Sequence, residues 1–284
     1  MNKIIVIGAS GTIGSALMSR VKRSYECYGT SYSTTNAGHI YLNLLDPDSF
    51  NFNFINANDI AFFCAGISSP DFCTSMRDIA WNTNVIGTSR LISRLISMGV
   101  RVVFLSTDTV YGDSINRVDE NSVVNPIGLY AIMKNEIEQQ FSGHSLFKSI
   151  RISYVVSRDD EFFCYLRSCA IADKPAHVYS DVNRCFVSKS DVVNGLISLV
   201  EKWSQFTEPI INFGGPEVLS REAYALQVKK DIYSNLEIAS CNAPIDFLKS
   251  RPKTINMCSS VFSRLIDRPV LTLQDSIALE IINN

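Results

Sequence analysis

The sequence predicts an α/β fold, a doubly wound parallel sheet with a smaller, interleaved C-terminal lobe, on three observations. Its first half alternates short apolar runs with helix-like segments, as strands and crossover helices do. A glycine-rich turn joins the first apolar run to the first amphipathic segment. At 284 residues, the chain is long enough for one large α/β domain, or one such domain with a smaller lobe.

The elements follow in order. Residues 3–8 read as a buried first strand, and residues 12–22 as a helix with Ile13, Ala16, Leu17 and Val21 on one face. Short strands are expected over 25–31 and 39–44. Asp46 and Pro47 then open a brief helix, the aspartate as N-cap and the proline at the first position. Residues 59–64 form a continuous apolar strand ending at Ala65-Gly66. A long helix over about 76–98 closes at Gly99. Residues 101–106 are a further buried strand. A polar loop over 112–125 leads through Pro126 into a helix that runs to about Phe141, and 146–152 is the next strand. Apolar runs of this kind, bounded by Gly or Pro, suit strands covered on both faces. Beyond Ser153 the rhythm loosens: a helix over 162–172, short strands within 178–187, an amphipathic helix over 190–202, a strand over 209–213 before Gly214-Gly215-Pro216, then helices and loops. The expected division is a dinucleotide-binding domain of 1–154, with 186–213 returning to it, and a substrate lobe of 155–185 and 214–284.

Composition narrows the function classes. With 46% hydrophobic and 19% charged residues the chain is neither disordered nor a membrane span, and no stretch approaches 18 uninterrupted apolar residues. The first apolar run is too short for a secretory segment. A net charge of −2 argues against a nucleic-acid partner, which usually demands a basic face. The eight cysteines form no C-x-x-C pair and read as free thiols of a reducing, cytoplasmic setting. His39, His144 and His177 are scattered without ligand spacing, so no metal site is expected.

Two segments carry chemistry. Gly8-Ala9-Ser10-Gly11-Thr12-Ile13-Gly14 lies between the first strand and the first helix. A pyrophosphate needs a tight turn, a close backbone approach and the free N–H groups of a helix start, all of which this loop supplies. The fold is therefore expected to be Rossmann-type, holding a dinucleotide through Gly8, Ser10, Gly11, Thr12, Ile13 and Gly14. The end of the second strand, Gly29-Thr30-Ser31-Tyr32-Ser33, has no carboxylate for ribose hydroxyls. Small hydroxyl residues there favour NADP(H), with NAD(H) as the alternative. The other segment pairs strand-end Ser106-Thr107-Asp108 with Tyr130-Ala131-Ile132-Met133-Lys134. Four residues apart on a helix, Tyr130 and Lys134 share a face, and a neighbouring cation makes a phenol usable as an acid or base near neutrality.

On these residues the chain resembles the extended short-chain dehydrogenase/reductase family over nearly its whole length. The resemblance includes Cys64-Ala65-Gly66, Glu138, Arg184-Cys185-Phe186-Val187, Asp191-Val192-Val193 and Asn212-Phe213-Gly214-Gly215-Pro216. Ser-Thr-Asp followed by Val-Tyr, with Arg251-Pro252 later, is most similar to dTDP-4-dehydrorhamnose reductases and related sugar-nucleotide 4-ketoreductases. It implies that Tyr130 donates a proton to a keto oxygen while the reduced nicotinamide delivers hydride, that Lys134 binds the ribose and tunes Tyr130, and that Thr107 hydrogen-bonds the same oxygen. It extends the cofactor set to Ser31, Asn43, Leu44, Cys64, Ala65 and Gly66, besides Tyr130 and Lys134. Thr107, Asp108 and Arg184 become substrate contacts, Arg184 through phosphate, although a salt bridge explains it equally well. The 4,6-dehydratases of the family carry Asp-Glu after the threonine; here Asp108 precedes Thr109, which argues against dehydration. Ser15 stands where some rhamnose-pathway reductases have an acidic magnesium ligand, so that metal is not expected either. The implied function is reduction of a nucleotide-linked 4-keto-6-deoxy sugar, with a homodimer compatible with the family. A sugar-nucleotide epimerase, another carbonyl substrate and a non-catalytic, cofactor-binding regulatory protein remain open.

Overall fold

The structure is a computed structural model and describes residues 2–33 and 38–283. Two compact units share the chain in alternating stretches: Met1–Thr107, Gly128–Arg151 and Leu196–Ile211 form one, and Asp108–Ile127, Ile152–Gly195 and Asn212–Asn284 the other.

The main sheet has seven strands: β1 (Ile4–Ile7), β2 (Cys27–Ser31), β3 (Ile40–Tyr41), β4 (Ile60–Phe63), β5 (Arg101–Thr107), β6 (Phe147–Ile152) and β7 (Ile210–Phe213). Their order is β7-β6-β5-β4-β1-β2-β3. The chain moves outward from β1 to β3, returns to the other side of β1 with β4, and then proceeds to β7. Strand direction is parallel for β1 with β2 and β4, for β2 with β3 and for β4 with β5. The order therefore reverses at β1, and in open α/β sheets ligands bind outside the carboxyl ends of the strands at such a reversal. Every residue of β1 and β4 is buried, which is why these strands are apolar without alternation. Phe104 packs between Phe63 and Phe147, at centroid separations of 6.0 and 6.1 Å, and knits β4, β5 and β6 together on one face.

Helix Thr12–Val21 buries Gly14, Leu17 and Val21, while Ile13 and Ala16 of the expected face are half-buried. The brief helix at Pro47–Ser49 is a 3-10 turn with proline at its start; Asp46 makes no side-chain cap, and its carbonyl instead accepts the Ser49 hydroxyl at 2.8 Å. The single long helix expected over 76–98 is instead broken. Pro70–Ser75 starts it earlier, capped by Ser69, and Arg77–Trp81 continues it. Asn82–Gly87 widens into a π-helix, and Thr88–Ser97 completes it. The widening accompanies one distant and one local set of hydrogen bonds. The Asn84 amide exchanges hydrogen bonds with the Ile67 backbone at 2.8 and 2.9 Å, and the Thr88 hydroxyl donates to the Thr83 carbonyl at 3.0 Å. These bonds turn the segment aside to serve the loop after β4.

The second unit is built from small two-stranded sheets around a core that includes Phe162, Phe163, Leu166, Tyr224, Val228 and Ile277. Asn183–Arg184 pairs antiparallel with Leu219–Ser220, and Ile238–Cys241 parallel with Ala176–Tyr179. The expected loop over 112–125 contains a strand, Ser114–Val118, which pairs with Ile255–Met257. Its central residues are exposed, so the segment shows no apolar face in sequence. The buried Glu280 carboxylate accepts the Ser188 hydroxyl and the Ser190 N–H, both at 2.6 Å, and so fixes the C-terminal segment to the start of helix Lys189–Lys202. All eight cysteines are free thiols. Among the described residues no helix is long and apolar enough to cross a membrane.

Gly87 offers a sharp test of this packing. A Cβ on it would stand 1.6 Å from the Leu44 carbonyl oxygen. Gly87→Ala should therefore destabilise the protein by about 3 kcal/mol, the upper range for overpacking a filled site. A urea unfolding midpoint equal to that of the unaltered protein would contradict the contact.

Candidate active site

The site is built first from backbone. β1 ends at Gly8, whose φ of +86° is the left-handed conformation open to glycine. A Cβ there would lie 2.7 Å from the Cα of Ala65, immediately after β4. A Cβ on Gly14 would lie 2.2 Å from the Gly8 carbonyl oxygen, so glycine alone lets helix Thr12–Val21 begin directly above the strand end. Gly11 precedes that helix in extended backbone and supplies no side-chain cap. The first-turn N–H groups are thus left for an anion, aided by the positive end of the helix dipole.

Beside this loop lies a cavity of about 310 Å³, lined by Gly8, Thr30, Ser31, Tyr32, Leu42, Asn43, Leu44, Leu45, Ala65, Gly66, Ile67, Ile79 and Thr83. Of the cofactor residues expected from sequence, Gly8, Ser31, Asn43, Leu44, Ala65 and Gly66 line it. Ser10, Gly11, Thr12, Ile13 and Gly14 form the loop and helix start, and the Ser31 hydroxyl donates to the Ser10 hydroxyl at 3.4 Å. Cys64 is not part of the lining; burial pushes its thiol up to about 12, which keeps it protonated and inert. Thr30, Tyr32, Leu42, Leu45, Ile67, Ile79 and Thr83 went unread. Ile67 was signalled by its place after Gly66, whereas Ile79 and Thr83 reach the cavity only because the helical segment bends. No lining residue is a carboxylate. The glycine cradle and the capless helix start fit a dinucleotide.

The second part comes from side chains. β5 ends at the buried Ser106 and Thr107. Consecutive strand residues face opposite ways, so the two hydroxyls serve opposite sides of the sheet. The Ser106 Oγ is buried without a hydrogen-bond partner among the described residues, the kind of group a bound molecule or water completes. Helix Leu129–Gln140 carries Tyr130, half-buried, and Lys134, which is 8% exposed. The Lys134 Nζ donates to the Leu105 carbonyl at 2.7 Å, lies 4.5 Å from the Phe104 ring centroid and 5.8 Å from that of Tyr130. Burial lowers its pKa to about 8, against the pull of Cys64, Glu138 and Cys73 nearby. One turn on, Glu138 forms a buried ion pair with Arg151 at 2.6 Å and accepts the Ser149 hydroxyl at 2.9 Å, which ties the helix to β6.

In the second unit Asp108 accepts the Ser153 hydroxyl at 2.7 Å and stands 3.9 Å from the Arg184 Nε. The Arg184 guanidinium also donates to the carbonyls of Asn183 at 2.7 Å, Pro252 at 2.6 Å and Lys253 at 3.3 Å. Burial holds its pKa below the usual arginine value. The buried Asp191 carboxylate takes the Arg268 guanidinium and the Leu271 N–H, and the Asn212 amide oxygen takes the Tyr111 hydroxyl at 2.8 Å.

The NAD dependent epimerase/dehydratase family matches residues 4–214. Methionine adenosyltransferase 2 subunit beta of Xenopus tropicalis is 28% identical over 139 residues, 48% of this chain and 42% of that protein. The match thus spans less than half of that relative's length. UDP-glucuronic acid decarboxylase 6 of Arabidopsis thaliana is 27% identical over 281 residues, covering 88% of this chain and 80% of that protein. A solved dTDP-4-dehydrorhamnose reductase from Clostridium acetobutylicum superposes with a TM-score of 0.84 over 99% of both chains, at 18% identity, and shares the fold.

The lowered pKa of Lys134 sets a pH dependence. Folding binds the ammonium less well than the unfolded chain does, so the group opposes folding in full below about pH 8 and its penalty is relieved as pH rises towards about 10.4. Relative to Lys134→Met, which does not titrate, the unaltered protein should gain up to about 3 kcal/mol across that interval. Parallel stability–pH curves for the two proteins would contradict the assignment.

Proposed function

The chain belongs to the NAD dependent epimerase/dehydratase family, and from that premise we propose that it is an NAD(P)-dependent oxidoreductase of the extended short-chain dehydrogenase/reductase type that reduces a nucleotide-linked 4-keto-6-deoxy sugar. The observation that carries the reading is the buried Lys134 ammonium, fixed on the Leu105 carbonyl beside the Tyr130 ring. A structural lysine has no need of that position, and burying it costs stability. The UDP-sugar enzyme among the sequence relatives and the dTDP-sugar reductase among the folds support a nucleotide-linked substrate.

Bound nicotinamide supplies the hydride. Tyr130 gives its phenolic proton to the keto oxygen as that oxygen gains charge, and the Lys134 ammonium stabilises the phenolate left behind. Thr107 donates a second hydrogen bond to the same oxygen. Lys134, with its remaining donors, also holds the ribose beside the nicotinamide. Gly8, Ser10, Gly11, Thr12, Ile13 and Gly14 take the pyrophosphate, while Ser31, Asn43, Leu44, Ala65 and Gly66 surround the adenosine end. A cavity with the Ser31 hydroxyl and no carboxylate favours NADPH over NADH, since a carboxylate would repel the 2′-phosphate. Asp108 orders the chain after Thr107 and contacts substrate. Arg184 spends three of its five N–H donors on backbone carbonyls, so a substrate phosphate would be met by its Nε–H and its second Nη2–H.

A second reading, a cofactor-binding subunit without turnover, is supported by the similarity to a protein named as an adenosyltransferase subunit. It predicts NADPH binding with no sugar-dependent oxidation.

Tyr130→Phe should cut the oxidation of NADPH by dTDP-4-keto-6-deoxyglucose at least about 100-fold, the usual worth of a positioned general acid. NADPH affinity, read by nicotinamide fluorescence, should change little. Full turnover in that variant would remove Tyr130 from the chemistry.

A further inference from the structure

The second unit holds an arginine whose surroundings call for a ligand. Arg221 opens helix Arg221–Asp231, where the helix dipole disfavours a positive charge. Its guanidinium lies 5.8 Å from the ring centroid of Tyr154, 5.2 Å from Phe162, 5.9 Å from Tyr179 and 5.3 Å from Phe247. Among the described residues it makes no ion pair and its N–H groups have no acceptor. Arg184, by contrast, spends three of its five donors on carbonyls and faces Asp108. Four rings lie within cation–π distance of the Arg221 guanidinium, but cation–π contact satisfies none of its N–H donors. Beside it opens a cavity of about 350 Å³, whose walls include Tyr154, Phe162, Tyr165, His177 and Tyr179. Glu161 lines it as well, and Tyr165 is occupied with the His177 backbone, whose N–H it accepts at 2.8 Å.

Aromatic walls suit a planar ring, and a fixed fork of donors suits oxygen acceptors on that ring's edge. Resting on the proposal that the substrate is nucleotide-linked, we infer that Arg221 reads its base: the cavity stacks the ring and the guanidinium donates to a keto oxygen. A guanidinium has no acceptor, so it cannot pair with an exocyclic amino group. Read at the C4 position of a pyrimidine or C6 of a purine, the site therefore selects the keto oxygen of uracil, thymine or guanine over the amino group of cytosine or adenine. Arg221 is thus a specificity-determining residue, and it takes no part in the proton and hydride steps.

Uridine and cytidine diphosphates test the claim, because their bases differ only at C4, keto or amino, and at the adjoining N3, a donor in uracil and an acceptor in cytosine. Calorimetric titration of the full chain should show UDP binding at least about tenfold tighter than CDP, a difference of one good hydrogen bond. In Arg221→Met the two should agree within about twofold, and Arg221→Lys, which keeps the charge but loses the fork, should fall between. NADPH titration of each variant checks that it is folded. Equal weakening of UDP and CDP in Arg221→Met would place Arg221 on phosphate and overturn the inference, and so would a UDP preference that survives the substitution. Failure of both diphosphates to bind the unaltered protein would overturn the nucleotide-linked substrate itself, and this inference with it.

Discussion

Burying the Lys134 ammonium against Phe104 and on the Leu105 carbonyl is a costly arrangement, and much of the surrounding structure can be understood as holding it. Low dielectric lowers the pKa of the group to about 8, which means the fold works against its own charge at neutral pH. The opposing forces are local. The Leu105 carbonyl at the end of β5 accepts one proton, the ring of Phe104 faces the charge, and the Glu138 carboxylate lies one turn further along the helix. Glu138 in turn is locked by Arg151 and Ser149 of β6. The charge beside Tyr130 thus rests on a chain of contacts that crosses two strands, and a fold selected for stability alone would discard it.

The backbone imposes a second constraint. At the order reversal of the sheet, β1 and β4 end so near each other that Gly8 and Ala65 leave no space for a larger residue, and the first helix begins on top of Gly8. The same crowding creates a helix start with free N–H groups and, beside it, a cavity of adenosine size. Gly87 extends the constraint outward. Its hydrogen faces the Leu44 carbonyl in the cavity wall, and the π-helical widening at Asn82–Gly87 lets Asn84 hold the loop after β4. The proposed cofactor site and the sheet topology are therefore one packing problem.

Much of this was legible in the sequence because it is local. The buried runs, the glycine spacing and the Tyr130/Lys134 interval each declare themselves within a few residues, and the strands and the helices that flank them lie where periodicity places them. The misses are non-local. Nothing near Asn84 announces that its amide will bond the Ile67 backbone and open a π-turn, so one continuous helix was expected. Ser114–Val118 has no apolar face and gains strand form only by pairing with Ile255–Met257, far along the chain. Ile79 and Thr83 join the cavity through tertiary bending. Arg221 carried no motif at all; its meaning depends on four rings drawn from separate segments. Arg184, expected to face either phosphate or a carboxylate, faces the carboxylate of Asp108 at 3.9 Å and in addition donates to backbone carbonyls that no motif announces.

The central claim is that Tyr130, Lys134 and Thr107 serve net reduction of a keto group. The most direct measurement uses NADPH carrying deuterium at the reactive nicotinamide position, with dTDP-4-keto-6-deoxyglucose, and mass spectrometry of the sugar product. The account predicts one deuterium on the former keto carbon, with one oxidised cofactor released for each sugar reduced. An isomerised sugar without label, formed on a cofactor that never leaves the protein, would contradict it and identify an epimerase instead.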